Sequence, residues 1–311
     1  MAWYEIGLLT AATRLKARAG SILLSRQQGC CRLSLLLLLA IPAISTSADR
    51  LSLPAMHSAL AQNSLLLDIS AAAGRLYAVG ERGHILYSSD QGRSWLQAEV
   101  PVSVSLTSVF FINSTDGWAV GHDGVILHSN DGGLQWKKQL DGFQVNQMVV
   151  EYYRGLLAAT EQNIQLLETQ QADDSDALEL MQERFDNYEV ALEDAEISLE
   201  EGPAKPFMDL LFVSPLRGWA IGSYGLLFET TDGGKNWKPR MELLNNPDGF
   251  HLNAITGNQQ GDIFIAGEAG LLYRSENEGR SWQQLESPYE GSFYAISEIL
   301  PTGDLLVVGL R

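Results

Sequence analysis

An all-β fold of repeated four-stranded blades, a β-propeller, is the class this sequence predicts, and three observations predict it. First, the signature Ser/Thr-x-Asp/Asn-x-Gly-x-x-Trp occurs four times, beginning at Ser88, Ser129, Thr230 and Ser275. Second, a Gly that ends a short apolar run recurs at Gly80, Gly121, Gly222, Gly267 and Gly309, with Thr160 as a degenerate copy. The intervals are 41, 39, 62, 45 and 42 residues, and one four-stranded blade needs about 40–45. Third, the runs between these markers are short, β-branched or aromatic, and bounded by Gly, Asp and Asn. The expectation is about 6–7 blades, the last incomplete, with one acidic helical insertion in the third.

The second repeat shows how each element is assigned. Strands are expected at Leu106–Ile112, Gly117–Val120, Val125–His128 and Trp136–Leu140, each a short apolar run between turn formers. Within the box, the Asp carboxylate accepts hydrogen bonds from turn amides, and the Gly two residues on takes positive φ without strain. The Trp offers a large apolar face to the next blade. The box residues Asp90, Gly92, Trp95, Asp131, Gly133, Trp136, Asp232, Gly234, Trp237, Asn277, Gly279 and Trp282 are therefore expected to be structural. Asn277, in place of an Asp, makes the same turn without charge.

The chain has 311 residues, enough for one propeller, and a net charge of −17. Residues 1–48 carry a net +4, whereas residues 49–311 carry a net −21. So acidic a body is a poor candidate for binding nucleic acid or anionic lipid, and no nucleic-acid partner is expected. The two cysteines, Cys30 and Cys31, precede the Leu-rich run 33–39. Arg32, an apolar stretch of about 12 residues and a small-residue region ending at Ala48 have the layout of a secretory signal with a long basic n-region. Cleavage near Ala48 is expected, with export to the periplasm; the other reading is an uncleaved anchor. The cysteines lie before the apolar run, so no lipid anchor is expected after cleavage. The mature protein is expected to be a monomer.

The 62-residue interval is about 20 residues too long, and the excess falls on residues 168–201, which carry 13 acids and one base, Arg184. Leu178, Met181, Phe185, Tyr188 and Leu192 recur at spacings of three and four, one apolar stripe on a helix over about 177–199, within an insertion of about 172–201. Such a stripe either covers the propeller's own edge or docks a partner.

Catalytic patterns are thin. The five histidines form no His-x-His or His-x-x-x-His pair, and no nucleophile elbow, P-loop or dinucleotide fingerprint is present. No metal, no cofactor and no enzymatic activity are expected. The turns joining second to third strands read Gly-x-x-Gly, and equivalent turns share one face of a propeller. Glu81, Arg82, His122, Asp123, Tyr224 and Glu268 are the candidate binding residues on that face.

The stretches Val120-Gly121-His-Asp-Gly124 through Trp136 and Ile221-Gly222-Ser-Tyr-Gly225 through Trp237 resemble the photosystem II stability/assembly factor family, relatives of the BNR/Asp-box repeat proteins. The resemblance covers about residues 64–311. It implies an exported, non-enzymatic propeller that assists assembly of a membrane protein complex. The photosynthetic members are similar to one another in an arginine-rich patch, whereas the turns here carry only Arg82 and Arg311. With the acidic insertion, this chain looks more like the branch found in non-photosynthetic bacteria, for which the resemblance implies a transporter or envelope complex as client. The rival class is a sialidase-like glycoside hydrolase or a carbohydrate-binding propeller, on which Tyr224 would stack a sugar. The hydrolase would need three arginines on equivalent inward turns, and none of the arginines form such a set.

The last repeat has its two inner strands and neither its box nor its Trp. Either residues 51–64 close the ring, or the chain is truncated.

Overall fold

The computed structural model describes residues 49–169 and 175–310, so the expected signal segment lies outside the described residues. Four four-stranded antiparallel sheets and one two-stranded sheet follow one another along the chain. Sheet one is β1 (Leu66–Ala72), β2 (Arg75–Gly80), β3 (Ile85–Ser88) and β4 (Leu96–Gln97). Sheet two is β5 (Leu106–Phe111), β6 (Gly117–Gly121), β7 (Ile126–Ser129) and β8 (Lys137–Leu140). Two helices, α1 (Gly142–Thr169) and α2 (Ser175–Glu201), come next. Sheet three is β9 (Phe207–Phe212), β10 (Gly218–Gly222), β11 (Leu227–Thr230) and β12 (Lys238–Pro239). Sheet four is β13 (Leu252–Gly257), β14 (Ile263–Gly267), β15 (Leu272–Ser275) and β16 (Gln283–Gln284), and sheet five is β17 (Ser292–Ile299) with β18 (Asp304–Leu310). The strands of the second repeat fall within a residue or two of the runs expected. The architecture is that of a propeller whose ring is not closed.

Three expectations need correction. Thr160 is not the end of a strand; it lies buried in α1. The third repeat is thus no blade: Gly142–Thr169 and Ser175–Glu201 are two helices packed as a hairpin, longer than the insertion read from the sequence. The acidic stripe was legible because it alternates strongly. Val145, Val149, Tyr153 and Leu157 on α1 recur at a helical spacing of four, but the run abuts a strand and mimics a degenerate repeat. Secondly, the segment 51–64 does not close the ring. Leu51 is buried with Val100, Val102 and Val104, Ala55 donates its amide to the Val100 carbonyl, and Ser103 donates to that of Arg50. The segment is thereby held along sheets one and two. Thirdly, the box Trp packs on the preceding sheet, not the next. The Trp136 amide donates to the Glu99 carbonyl of the strand that leaves sheet one, which turns the indole into the seam behind it.

The core lies in these seams. Tyr77 of β2 stacks on Phe111 of β5 with ring centroids 3.7 Å apart, and Trp136 stands edge-on to Phe111 at 5.8 Å. Trp118, Phe212 and Trp237 repeat this at 3.6 and 6.0 Å. The box hairpin must come very close to such a ring. A Cβ on Gly133, whose φ is +81°, would sit 2.7 Å from Tyr77, so only Gly fits there.

The first strands are strapped together by polar side chains near the ring axis. The Asp68 carboxylate accepts from the Val109 amide at 2.8 Å, and that of Asp209 from the Ile255 amide at 2.9 Å. Thr107 donates to the Phe207 carbonyl and Asn253 to that of Phe293. Each strap joins one sheet to the following one.

The stripe of Leu178, Met181, Phe185, Tyr188 and Leu192 is half-buried, because α2 packs along α1. At the hairpin's base Val145, Val149, Val150 and Ala195 join the core of sheets two and three. The Asn146 side chain there donates to the carbonyls of Ser198 and Gly202. Tyr152 on α1 donates its hydroxyl to Glu242 and accepts the Glu242 amide. Burial, with that carboxylate beside it, pushes the phenol far above its ordinary value. No helix among the described residues is long and apolar enough to cross a membrane.

Candidate functional site

The four Gly-x-x-Gly turns, at Glu81–Gly83, His122–Gly124, Ser223–Gly225 and Glu268–Gly270, are built alike. In each, the first residue's amide donates to the carbonyl just before its own sheet's first strand: Glu81 to Leu65, His122 to Ser105, Ser223 to Pro206, Glu268 to His251. The residue after it is left-handed, with φ of 60° at Arg82, 56° at Asp123, 55° at Tyr224 and 51° at Ala269. The Gly before each turn has no room for a side chain: a Cβ on Gly80 would lie 2.0 Å from the Leu65 carbonyl oxygen. A fixed, mildly strained loop thus recurs at the same place in each of the four sheets.

The structure joins only part of the expected set. Tyr224, 60% exposed, lies with its ring 4.9 Å from that of His251, and the Lys205 ammonium sits 5.0 Å from its centre. Nδ1 of His251 is 3.1 Å from Glu268 and 3.3 Å from the Tyr224 amide. Protonated, it pairs with the carboxylate; bare, it accepts the amide. Burial lowers the Lys205 pKa, partly offset by Asp194 and Glu201. Tyr224 and Glu268 therefore form one cluster with two residues the sequence did not single out, His251 and Lys205. Neither carries a motif; His251 just precedes a first strand and Lys205 follows the insertion.

The other expected residues go elsewhere. Glu81 accepts the Leu65 amide within its own sheet. Arg82 and His122 are exposed. Asp123 is buried and accepts both contacts from the Arg50 guanidinium, at 3.0 and 3.4 Å, so it anchors the segment before sheet one. Among the described residues no group of three or more His, Cys, Asp or Glu is placed to hold a metal.

The box residues hold their own turns. Ser88 accepts the Gly92 amide at 2.8 Å and donates to Asp90, and Asp90 accepts the Ser94 amide at 2.9 Å and its hydroxyl at 2.6 Å. The Ser94 hydrogen bonds hold the Asp90 carboxyl down at about 2. Asn277 makes the corresponding bonds to Ser281 through its amide group. Near the axis, Ser108 lies 2.7 Å from Asp209 and 3.1 Å from Asp68, and burial pushes Asp209 up to about 6. A hydroxyl between two carboxylates has one proton for both.

Three arginines of sheets three and four are held in ion pairs. Arg217 pairs with Glu229 and Glu278, Arg240 with Glu229 and Glu242, and Arg274 with Asp262 and Glu276.

An open propeller of repeated four-stranded blades with fixed Gly-x-x-Gly turns is the class of protein that the fold defines. The profile of the family described as photosynthesis system II assembly factor YCF48 matches residues 49–147 and 191–300, more than half of the chain. The chain belongs to that family. The match leaves out residues 148–190, which lie within the helical hairpin. The chain is 34% identical over 101 residues to the photosystem II assembly lipoprotein Ycf48 of Synechococcus sp. (strain CC9902). That stretch covers 32% of this chain and 30% of the relative. It is 32% identical over 146 residues to the photosystem II assembly protein Ycf48 of Thermosynechococcus vestitus, covering 33% and 42%. The chain thus spans less than half the length of these relatives. Among solved structures it is similar to YCF48 bound to D1 peptide, with TM-score 0.46 and 15% identity, covering 78% of this chain and 60% of that one. It is similar also to the GH74 enzyme of Niastella koreensis, with TM-score 0.49 and 12% identity, covering 78% and 33%.

Proposed function

We propose that this protein is an exported, non-catalytic scaffold that assists the assembly or stability of a membrane protein complex. The family match over residues 49–147 and 191–300 is the observation that carries this reading. The relatives are named for photosystem II assembly, and one solved relative holds a D1 peptide. In this chain the turn residues are Arg82, Asp123, Tyr224 and Ala269, one arginine among four. Residues 148–190 within the hairpin fall outside the family match, and the resemblance to the branch found in non-photosynthetic bacteria favours a transporter or envelope complex as the client. The turn face around Tyr224 and the acidic hairpin are the two contact surfaces.

The test is capture of tagged protein from cross-linked envelopes, with partners identified by mass spectrometry and N-terminal sequencing of the captured chain. Recovery of one membrane complex, reduced at least tenfold by Tyr224→Ala or by replacing 148–190 with a short loop, and a new N-terminus near Ala48, are the expected results. Recovery of photosystem subunits would return the chain to its relatives' role. No specific membrane partner would overturn the scaffold reading. The exposure of the Tyr224 ring also favours sugar stacking as a second reading, and saturable binding on a glycan array, lost in Tyr224→Ala, is its sign.

A further inference from the structure

His251 stands where the other sheets carry Leu65, Ser105 and Pro206, and its carbonyl, like theirs, accepts an amide from the Gly-x-x-Gly turn of its own sheet. Its side chain reaches back to the turn of sheet three, where the Tyr224 amide donates to Nδ1 at 3.3 Å. Among the described residues this is the one turn of the four in which a side chain accepts the amide of the left-handed residue. The same nitrogen is 3.1 Å from Oε2 of Glu268. That oxygen also accepts the His251 amide at 2.8 Å, which holds the carboxylate beside the ring. Sheet one has half of this arrangement: Glu81 accepts the Leu65 amide in the same way, but Leu65 has no side-chain nitrogen to serve a neighbouring turn.

One ring nitrogen thus faces a donor and an anion, and it serves one of them at a time. Bare, Nδ1 offers its lone pair to the Tyr224 N–H. Protonated, it carries an N–H of its own, which opposes that of Tyr224 and is drawn to the carboxylate. An imidazole makes this exchange between about pH 5 and 8. Glu268 favours the proton, and the Lys205 ammonium, 5.0 Å from the centre of the Tyr224 ring, opposes it; Asp248 lies in the loop that leads into His251. The exchange bears on Tyr224 because its φ is 55°. A bulky residue keeps that conformation only where its surroundings hold it. The two rings also touch, with centroids 4.9 Å apart, so an imidazole that turns toward Glu268 takes a wall from the phenol.

We infer that His251 is the positioning residue of Tyr224, and that its protonation releases the Tyr224 turn and weakens partner binding on that face as pH falls. The effect on binding rests on the scaffold reading; the release of the turn rests on the geometry alone. The neutral ring fixes Tyr224, so the turn is held above the titration of His251 and loosened below it.

The test uses the full chain. Hydrogen exchange of the Tyr224 amide, corrected for the intrinsic pH dependence of exchange, is measured at pH 8 and pH 5.5 in the parent and in His251→Asn, whose side-chain oxygen accepts the amide at both. Protection is expected to fall about fivefold at pH 5.5 in the parent and to stay level in the variant. Equal protection at the two pH values in the parent would overturn the proposal, as would a nitrogen chemical shift showing Nδ1 protonated at both. Capture of the cross-linked membrane complex at the same two pH values separates this inference from the scaffold reading. The yield is expected to fall at pH 5.5 for the parent and not for His251→Asn. A yield independent of pH, yet lost in Tyr224→Ala, would overturn the regulatory role of His251 and leave the scaffold standing. No complex at either pH would overturn the scaffold reading, and the exchange result would then decide the Tyr224 turn by itself.

Discussion

The seams between sheets one and two and between two and three repeat each other ring for ring, and the seam between three and four does not. In the first two, a Phe closes the first strand, Phe111 opposite Gly117 and Phe212 opposite Gly218, and is sandwiched by Tyr77 or Trp118 with Trp136 or Trp237 edge-on. In the third, Gly257 holds that position opposite Ile263, and Trp282 meets Trp219 directly at 5.9 Å and 88°. These three seams thus set a second-strand aromatic on one side and a box Trp on the other, through an intervening Phe in the first two and directly in the third.

The largest expected effect follows from this. Trp118 fills the seam between sheets two and three, so Trp118→Ala should cost about 4 kcal/mol in chemical denaturation. Trp95 lies on an uncovered flank, and Trp95→Ala should cost less than about 1 kcal/mol. Equal losses would break the distinction between covered and open faces.

How much of this was legible in sequence follows from what leaves a periodic trace. The strands, the box turns and the left-handed turn positions repeat with the blade, so Gly121, Asp131 and Trp136 declare their roles by spacing. Which face Trp136 turns to depends on a backbone bond to Glu99 in another sheet, a contact with no local signal. The same holds for Arg50 reaching Asp123 and for His251 and Lys205 beside Tyr224. Helix α1 was missed because its apolar stripe begins directly after β8, where a strand of the next repeat was due.

The axis straps give a pH-dependent effect. The folded pKa of Asp209, about 6, lies above its ordinary value of 3.8. The folded chain thus holds the proton more firmly than the unfolded one. The stabilisation from that proton is fully present below about pH 4 and is lost as pH rises to about 6. Asp209→Asn keeps a neutral group of similar shape at every pH. Relative to the variant, the parent should lose roughly 2 kcal/mol between pH 4 and pH 7, read as the difference between their melting profiles. Parallel profiles would show that Asp209 titrates as in the unfolded chain.

A smaller loss is expected in the box. Ser129 is buried and accepts the Gly133 amide at 3.0 Å while donating to Asp131. Ser129→Ala leaves that amide without its acceptor, which costs about 1–2 kcal/mol. A loss within a few tenths would mean that water reaches the Gly133 amide and that the box contributes little to stability.

The smallest effect sharpens the comparison of seams. The indole N–H of Trp237 has an acceptor, Gln139 at 3.4 Å, whereas that of Trp118 in the same seam and those of Trp219 and Trp282 in the next are buried without one. The direct indole pair between sheets three and four thus fills the space left by Gly257 at the cost of two unmatched donors. Trp282→Phe removes one of them while losing part of the ring's contact with Trp219, and these terms oppose each other. Trp237→Phe loses both contact and a hydrogen bond. Trp282→Phe should therefore cost less than Trp237→Phe, by about 1 kcal/mol in parallel urea titrations. The reverse order would show that ring area, not donor matching, sets the strength of this seam, and would remove the physical reason for its departure from the other two.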